Sequence, residues 1–561
     1  MRTPSEIKKE YSRWLENTAS VDNIFAELKC MNDEEITDAF YRDLAFGTGG
    51  LRGVIGAGTN RMNDFTVAKA SQGLANYVNK NFADNPTIAI AYDSRIKSDL
   101  FSVTVAEVFA ANGIKAHLYP ELMATPCLSY AVRALNCSAG IVITASHNPS
   151  KYNGYKVYGP DGCQITTEAA AAILAEIEKI DIFDDVKAMP FDEAFNEGIV
   201  EYIGEDVYTA FIEEVKSQSV LFGDEIDRNV AIVYSPLNGT GLKPVTRALK
   251  ESGFTNITVV AEQEKPDGNF PTCPYPNPEI REAMELGLQY CNKTGADLLL
   301  ATDPDADRCG IAVRDGSDYK LLTGNEVGIL LLDYICRQRQ HHGKMPSHPV
   351  FVKTIVTMDL AEKIAERFGV ETINVLTGFK FIGEVIGRLE EEGRESDYIC
   401  GFEESYGYLT GSYVRDKDAV NAAFMICEMF AFYKSRGISL VEKLADLYRI
   451  YGYCLNTLHS YQFEGASGML KMQEIMANYR KGMEDIGGLK IERAFDYKEG
   501  VDGLPKSDVL KYLLDGGSSV VVRPSGTEPK LKTYISVIAN NANEAKVIED
   551  AIKKSLEKKM I

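Results

Sequence analysis

Short apolar runs alternate along this chain with longer stretches of helical period. Thr87-Ile-Ala-Ile-Ala-Tyr92 reads as a strand, and residues 98–112 read as a helix. In residues 167–180, Ile173, Leu174, Ile177 and Ile180 share one helical face. Further buried strands are predicted at Arg228-Asn-Val-Ala-Ile-Val-Tyr234, Leu298-Leu-Leu-Ala301 and Val350-Phe-Val-Lys-Thr-Ile355, each entering a polar turn. Residues 419–433 are apolar enough for a core helix despite Asn421 and Glu428, and fall short of membrane-spanning length. Strand–helix alternation of this kind predicts α/β architecture with mostly parallel sheets. Three such blocks look like related domains. The last hundred residues differ, with two helical stretches around a strand pair.

Composition narrows the class. A chain of 561 residues exceeds what one hydrophobic core holds, so several domains are expected. With 60 Lys and Arg against 81 Asp and Glu, the net charge of −21 argues against nonspecific nucleic-acid binding. The 11 cysteines are scattered, many inside apolar runs, with no Cys-x-x-Cys pair. Reduced, buried thiols in the cytoplasm are the expectation. The first ten residues are polar and charged, unlike a signal peptide, and no membrane partner is expected.

Four patterns carry chemistry. In Thr144-Ala-Ser-His-Asn-Pro149, after the strand-like Ala139-Gly-Ile-Val-Ile-Thr144, Ser146 sits beside His147, ten residues before Lys156. A serine hydroxyl is a weak nucleophile unless a base or cation activates it, and His147 and Lys156 are the activators in reach. In Asp303-Pro-Asp-Ala-Asp-Arg308, three alternating carboxylates follow a strand and can converge on one hard cation such as magnesium. The EF-hand template fails, because Arg308 and Cys309 follow Asp307 where a glycine is required. Arg523-Pro-Ser-Gly-Thr-Glu-Pro-Lys530 combines a bidentate guanidinium with hydroxyls and a tight turn, the makings of an anion nest. Gly401-Phe-Glu-Glu-Ser-Tyr-Gly407 offers carboxylates and a hydroxyl to sugar hydroxyl groups.

Together, and in this order, the four patterns resemble the alpha-D-phosphohexomutase family, which includes phosphoglucomutases and phosphomannomutases. Phe46-Gly-Thr-Gly-Gly-Leu-Arg-Gly53, Ala91-Tyr-Asp-Ser-Arg95, Thr377-Gly-Phe-Lys380 and Val414-Arg-Asp-Lys-Asp418 add to the resemblance, which covers nearly the whole chain. Gly49-Gly50 departs from the family's commoner Ser-Gly before Leu-Arg-Gly. The resemblance implies four domains around a central cleft, the first three mixed α/β sheets with flanking helices and the last a smaller α+β domain. Their limits are expected at residues 1–205 (with an N-terminal helical extension), 206–320, 321–453 and 454–561.

By the same resemblance, Ser146 is the phosphoserine and joins Asp303, Asp305 and Asp307 as a magnesium ligand. His147, Lys156 and Arg52 assist proton transfer and charge stabilisation, with the general acid–base open among them. Arg308, Thr377, Gly378, Lys380, Glu403, Ser405 and Lys417 bind substrate, and Arg523, Ser525, Gly526 and Thr527 hold its non-reacting phosphate. The implied reaction is phosphohexomutase isomerisation of glucose 1-phosphate and glucose 6-phosphate through a glucose 1,6-bisphosphate intermediate, with that bisphosphate also the activator. Mannose or pentose phosphates are the alternatives within the mechanism. A metal-dependent sugar phosphatase or a non-catalytic sugar-phosphate sensor are the alternatives outside it. In so acidic a protein, Arg52, Arg95, Lys156, Arg308, Lys417 and Arg523 would have to invert the field in the cleft. The Thr377 and Gly401 patterns resemble the branch holding bacterial phosphoglucomutases, phosphopentomutases and glucose-1,6-bisphosphate synthase. No coiled-coil seam is present, so a monomer or weak homo-oligomer is expected.

Overall fold

A computed structural model describes residues 1–47, 49–82, 84–463, 465–524 and 530–560. Four sheets define four domains. The first has seven strands in the order Phe46–Gly47, Gly50–Val54, Tyr152–Tyr158, Ala139–Ile143, Thr87–Tyr92, Lys115–Leu118, Val200–Tyr202. The second runs Asp318–Leu322, Cys309–Asp315, Leu298–Thr302, Ile232–Ser235, Ile257–Val259. The third runs Glu371–Val375, Val350–Thr354, Tyr398–Glu403, Gly407–Thr410. The helices that flank them include Ser98–Ala111, Arg281–Thr294 and Phe379–Glu391.

Each of these three is mixed, as the family resemblance implies; the mostly parallel sheets expected from strand–helix alternation alone need correction. In each, a parallel strand turns back at its C-terminal end into an antiparallel hairpin. Ala139–Ile143 pairs with Tyr152–Tyr158, Leu298–Thr302 with Cys309–Asp315, and Tyr398–Glu403 with Gly407–Thr410. The reason is physical: a strand buried on both faces reads the same whichever way its neighbour runs. Ligands of open α/β sheets collect at the carboxyl ends of the strands, where these turns lie.

The last domain is also larger in strands than the sequence pattern indicates. Six antiparallel strands, not a pair, pack against helices Gly465–Arg480 and Ala542–Lys558. Tyr453–Gln462 and Leu489–Asp496 are half-exposed, so they carry no apolar run to betray them.

One continuous core joins the first three domains through helices Thr125–Ala134, Glu205–Ser217, Gly324–His341 and Ala419–Lys434. The fourth domain meets the third at a separate joint. Ile355, Val356 and Leu376 pack there against Tyr497, Val509, Val521 and Tyr534. Beside them lies a charge cluster. Asp359 accepts from Lys353 of the third domain at 3.0 Å, and from Lys511 and Ser519 of the fourth at 2.8 and 2.7 Å. Before the first sheet, helices Pro4–Asn17, Asp22–Cys30 and Asp33–Phe40 wrap Trp14, whose ring meets Phe40, Phe65 and Phe183 edge-on. Ten cysteines are buried and only Cys30 is exposed, all as free thiols. Among the described residues no helix is long and apolar enough to cross a membrane.

Candidate active site

The hairpin turns of the first three domains meet. Ser146 stands in the turn after Ala139–Ile143 with a left-handed backbone, φ 51°, which a non-glycine residue adopts only when its surroundings enforce it. Its amide donates to Thr144 Oγ1 at 2.8 Å. Its hydroxyl donates to Asp303 Oδ2 at 2.8 Å, across the boundary between the first and second domains, and lies 3.1 Å from His147 Nδ1. Burial, with the Arg308 and Arg52 guanidiniums adding to it, holds His147 well below the usual histidine range, so the ring is neutral near pH 7. Arg52 reaches the same turn, donating to Asn148 Oδ1 at 3.2 Å.

The turn after Leu298–Thr302 gathers Asp303, Asp305 and Asp307, all buried, with one oxygen of each within 4.8 Å of the others. The turn holds itself: Asp303 Oδ1 accepts from the amides of Asp307 and Arg308 at 3.1 and 2.9 Å. Lys156, on the strand opposite Ser146, donates to Asp305 Oδ2 at 2.7 Å and to Asp307 Oδ2 at 3.1 Å. Lys417 Nζ lies 2.9 Å from Asp307 Oδ2. Thr125 adds a hydroxyl bond to Asp305 Oδ2 at 2.9 Å.

These partners serve the Oδ2 atoms and leave Asp305 Oδ1 and Asp307 Oδ1 buried with no hydrogen-bond partner among the described residues. Burial, Asp307 and Asp305 together push the Asp303 carboxyl well above the usual carboxylate range. Unpaired carboxylate oxygens crowded in a buried turn are a donor set that a hard divalent cation satisfies. The residues present therefore fit magnesium.

The third domain supplies Glu403, buried at the end of Tyr398–Glu403, with Ser405 in the turn beyond. Burial raises the Glu403 carboxyl, and the nearby Lys417 and Arg308 charges pull it back. Arg308 is itself paired with Glu279. In the fourth domain Arg523 lies across the sheet from Lys532, whose ammonium is held low by burial, Arg523 and Lys530, against Glu404 and Glu279. Ser525, Gly526 and Thr527 lie outside the described residues.

Thr377 and Gly378 lead into helix Phe379–Glu391, whose second residue is Lys380. Gly378, φ 120°, caps helix Phe379–Glu391, and the Lys380 carbonyl accepts from Cys163 Sγ at 3.3 Å. The two glycines of Gly49-Gly50 sit in different surroundings, and only the one shared with the family's Ser-Gly is sterically fixed. A Cβ on Gly50 would lie 1.7 Å from the Tyr155 carbonyl oxygen, so glycine is obligatory there. A Cβ on Gly49 would meet only the Gln164 side chain, which can move.

Sequence reasoning missed Thr125, Glu279 and Lys532, and counted Arg95 among the cleft's basic charges without foreseeing where its guanidinium points. Arg95 does not face the cleft. Its side chain is fully buried and its guanidinium is directed at backbone carbonyls. The Tyr-Asp-Ser-Arg motif was the available signal, but nothing in it tells which way the guanidinium points.

Comparison with known proteins places this geometry. Models of the phosphoglucomutase/phosphomannomutase alpha/beta/alpha domains I, II and III match residues 43–183, 208–316 and 323–451. The model of that family's C-terminal domain matches residues 470–554. A phosphoglucomutase of Staphylococcus saprophyticus is 37% identical over 546 residues, covering 95% of this chain and 97% of its own. One from Staphylococcus aureus strain MSSA476 is 36% identical, with 95% and 96% covered. Among solved structures, the open form of parafusin, a phosphoglucomutase from Paramecium, aligns with a TM-score of 0.71 at 18% identity, covering 92% of this chain and 95% of its own. A phosphoglucomutase/phosphomannomutase family protein from Burkholderia thailandensis aligns with a TM-score of 0.68 at 18% identity, covering 92% and 97%.

Proposed function

Because the chain belongs to the phosphoglucomutase/phosphomannomutase family and is a phosphohexomutase, we propose that it interconverts glucose 1-phosphate and glucose 6-phosphate, with Ser146 as the phosphoryl carrier. The relatives covering 95% of the chain are phosphoglucomutases, which favours glucose over mannose or pentose. The observation that carries the chemical reading is the Ser146 Oγ–Asp303 Oδ2 bond of 2.8 Å, which joins the nucleophile of one domain to the carboxylate turn of another. Asp303, Asp305, Asp307 and the Ser146 oxygen would hold Mg²⁺, which when bound supplies Lewis-acid polarisation and a template for the transferring group.

The chain's own residues account for the rest. As the phosphorus–oxygen bond at Ser146 breaks, a new one forms to a sugar hydroxyl, giving a sugar bisphosphate. The hydroxyl proton passes to a base. That base is one of Arg52, His147 and Lys156; the 3.1 Å between His147 Nδ1 and Ser146 Oγ supports His147 as the group that takes the serine proton when the phosphate returns, whereas Lys156 is engaged by both Asp305 and Asp307 and serves to neutralise charge. The intermediate turns over, and the other phosphate returns to Ser146. Phosphoryl transfer depends on alignment and charge neutralisation more than covalent help, which suits a cleft lined by Lys156, Arg308 and Lys417. Glu403 and Ser405 accept and donate to sugar hydroxyls. Arg523 and Lys532 grip the phosphate that is not reacting, with Ser525, Gly526 and Thr527 expected beside them. The reading keeps glucose 1,6-bisphosphate as activator, domain limits at 205, 320 and 453, and cytoplasmic action as a monomer or weak homo-oligomer.

The test is kcat/KM for glucose 1-phosphate, mannose 1-phosphate and ribose 1-phosphate, with Mg²⁺ and catalytic glucose 1,6-bisphosphate. Preference for glucose 1-phosphate is expected. Preference for another sugar replaces the substrate, and stoichiometric phosphate release without isomerisation overturns the reading.

A further inference from the structure

Arg95 follows the strand Thr87–Tyr92, and its guanidinium points beneath the turn that carries Ser146. Nη2 donates to the carbonyls of Ser146, at 2.5 Å, and Asn148. Nη1 donates to those of Pro149, at 2.9 Å, and Tyr152, at 3.0 Å. One fork thus holds four carbonyls of a single turn. Asp93 fixes the fork from behind. Its Oδ2 lies 3.5 Å from Arg95 Nε, and its Oδ1 accepts from the Arg95 amide at 2.9 Å and from Ser98 Oγ at 2.8 Å.

The second domain braces the same group. The Phe270 ring lies against the guanidinium, 5.0 Å from Arg95 Cζ to the ring centroid. Phe270 is itself left-handed, φ 49°. Gly268 brings this segment so close that a Cβ there would stand 2.5 Å from the Ile96 amide nitrogen and 2.7 Å from the Ser94 carbonyl oxygen.

We propose that Arg95 is a positioning residue for phosphoryl transfer, setting the left-handed conformation of Ser146 from below while Phe270 keys that setting to the domain bearing the aspartates. The inference rests on Ser146 being the phosphoryl carrier. Its physical logic is that Ser146 must meet both the substrate's phosphorus and the carboxylate turn in line. The turn's backbone reaches that shape through four bonds from one planar cation, a pattern an ammonium cannot reproduce. A displacement of about 1 Å at a reacting atom costs about 10²-fold in rate.

The experiment compares Arg95→Lys, Arg95→Ala and Ser146→Ala in the full chain. Readouts are kcat and KM for glucose 1-phosphate with saturating glucose 1,6-bisphosphate, and calorimetric titration with Mg²⁺ alone. Arg95→Lys is expected to lower kcat about 10²-fold with KM and Mg²⁺ affinity within about twofold. Arg95→Ala is expected to lose more and to regain kcat in millimolar guanidinium, which a scaffold-only role would not produce. Unchanged kcat in a folded Arg95 variant overturns the proposal. So does a kcat loss matched by lost Mg²⁺ affinity and untouched by guanidinium. If Arg95→Ala does not fold, Arg95→Lys decides by the same measures. Ser146→Ala separates the two claims, because an active Ser146→Ala would remove the carrier itself, while an inactive one beside normal Arg95 variants removes only the role of Arg95.

Discussion

Replacing Asp359 by asparagine should loosen the fourth domain. The carboxylate is shared across the joint, 3.0 Å from Lys353, 2.8 Å from Lys511 and 2.7 Å from Ser519. The Lys353 side chain is wholly buried, and those of Lys511 and Asp359 are 10% and 19% exposed. Solvent screening therefore relieves little. Without the charge, Lys353 keeps Glu362 at 3.0 Å, but Lys511 keeps only the Ile355 carbonyl at 3.1 Å. Removing one member of a buried ion pair costs about 3–5 kcal/mol, and the retained Glu362 places this case near 3 kcal/mol. At about 4 °C per kcal/mol for a domain of roughly 100 residues, the fourth domain's transition should fall by about 12 °C. Scanning calorimetry should then show it melting ahead of the rest. The pH dependence gives a second handle. Burial opposes ionisation of Asp359, but Lys353 and Lys511 outweigh it and hold the carboxyl well below the usual range. A depressed carboxyl pKa lends stability that is complete above the unfolded value of about 4 and is lost as pH falls below it. The parent's joint should be insensitive to pH between about 5 and 8 and weaken in stronger acid, and Asp359→Asn should lack that acid loss. A transition that moves by less than about 3 °C, or an acid dependence identical in both proteins, would refute the reasoning.

Other expectations follow from the site. Asp305→Asn should raise the Mg²⁺ concentration for half-maximal activity at least about 10-fold, the lower bound for disturbing even outer partners of a metal; an unchanged titration removes Asp305 from the ligand set. Arg523→Ala should raise KM for sugar phosphates about 10–100-fold, as loss of a charged hydrogen bond implies, with kcat much less affected; a fall in kcat at constant KM would give Arg523 a transition-state role instead. Gly268→Ala should cost about 1–3 kcal/mol, since its Cβ would meet backbone that cannot turn aside; thermal melts equal to the parent's would show that the segment yields.

Much of this was legible in the sequence because chemistry and hydrophobicity coincide at strand ends. Ala139–Ile143 and Leu298–Thr302 are fully buried and lead directly into Ser146 and Asp303, so apolar run and polar turn marked both loops. Strand direction was not legible, because pairing is decided by distant residues. The half-exposed strands of the fourth domain were hidden for the opposite reason, lacking contrast with loop composition. Partners such as Thr125 for Asp305 or Glu279 for Arg308 are separated by 180 and 29 residues and met only in the folded chain. Arg95 is instructive. The motif marks it only as one of the basic residues near the cleft, whereas burial and four carbonyl acceptors direct its guanidinium at the backbone of the Ser146 turn.

The distribution of thiols makes this protein its own recorder of unfolding. Cys30 is exposed, whereas burial pushes Cys137 to about 11, Cys400 to about 12 and Cys454 to about 11. Only the thiolate reacts with alkylating reagents, so at neutral pH one label should enter the native protein quickly and the rest should wait for structural opening. Cys454 lies on the first strand of the fourth domain, yet packs within the core that runs through the third. Release of the fourth domain alone would therefore add a second label while the other nine buried thiols stay shielded. The mass of the alkylated chain, followed over time, would distinguish that partial opening from global unfolding.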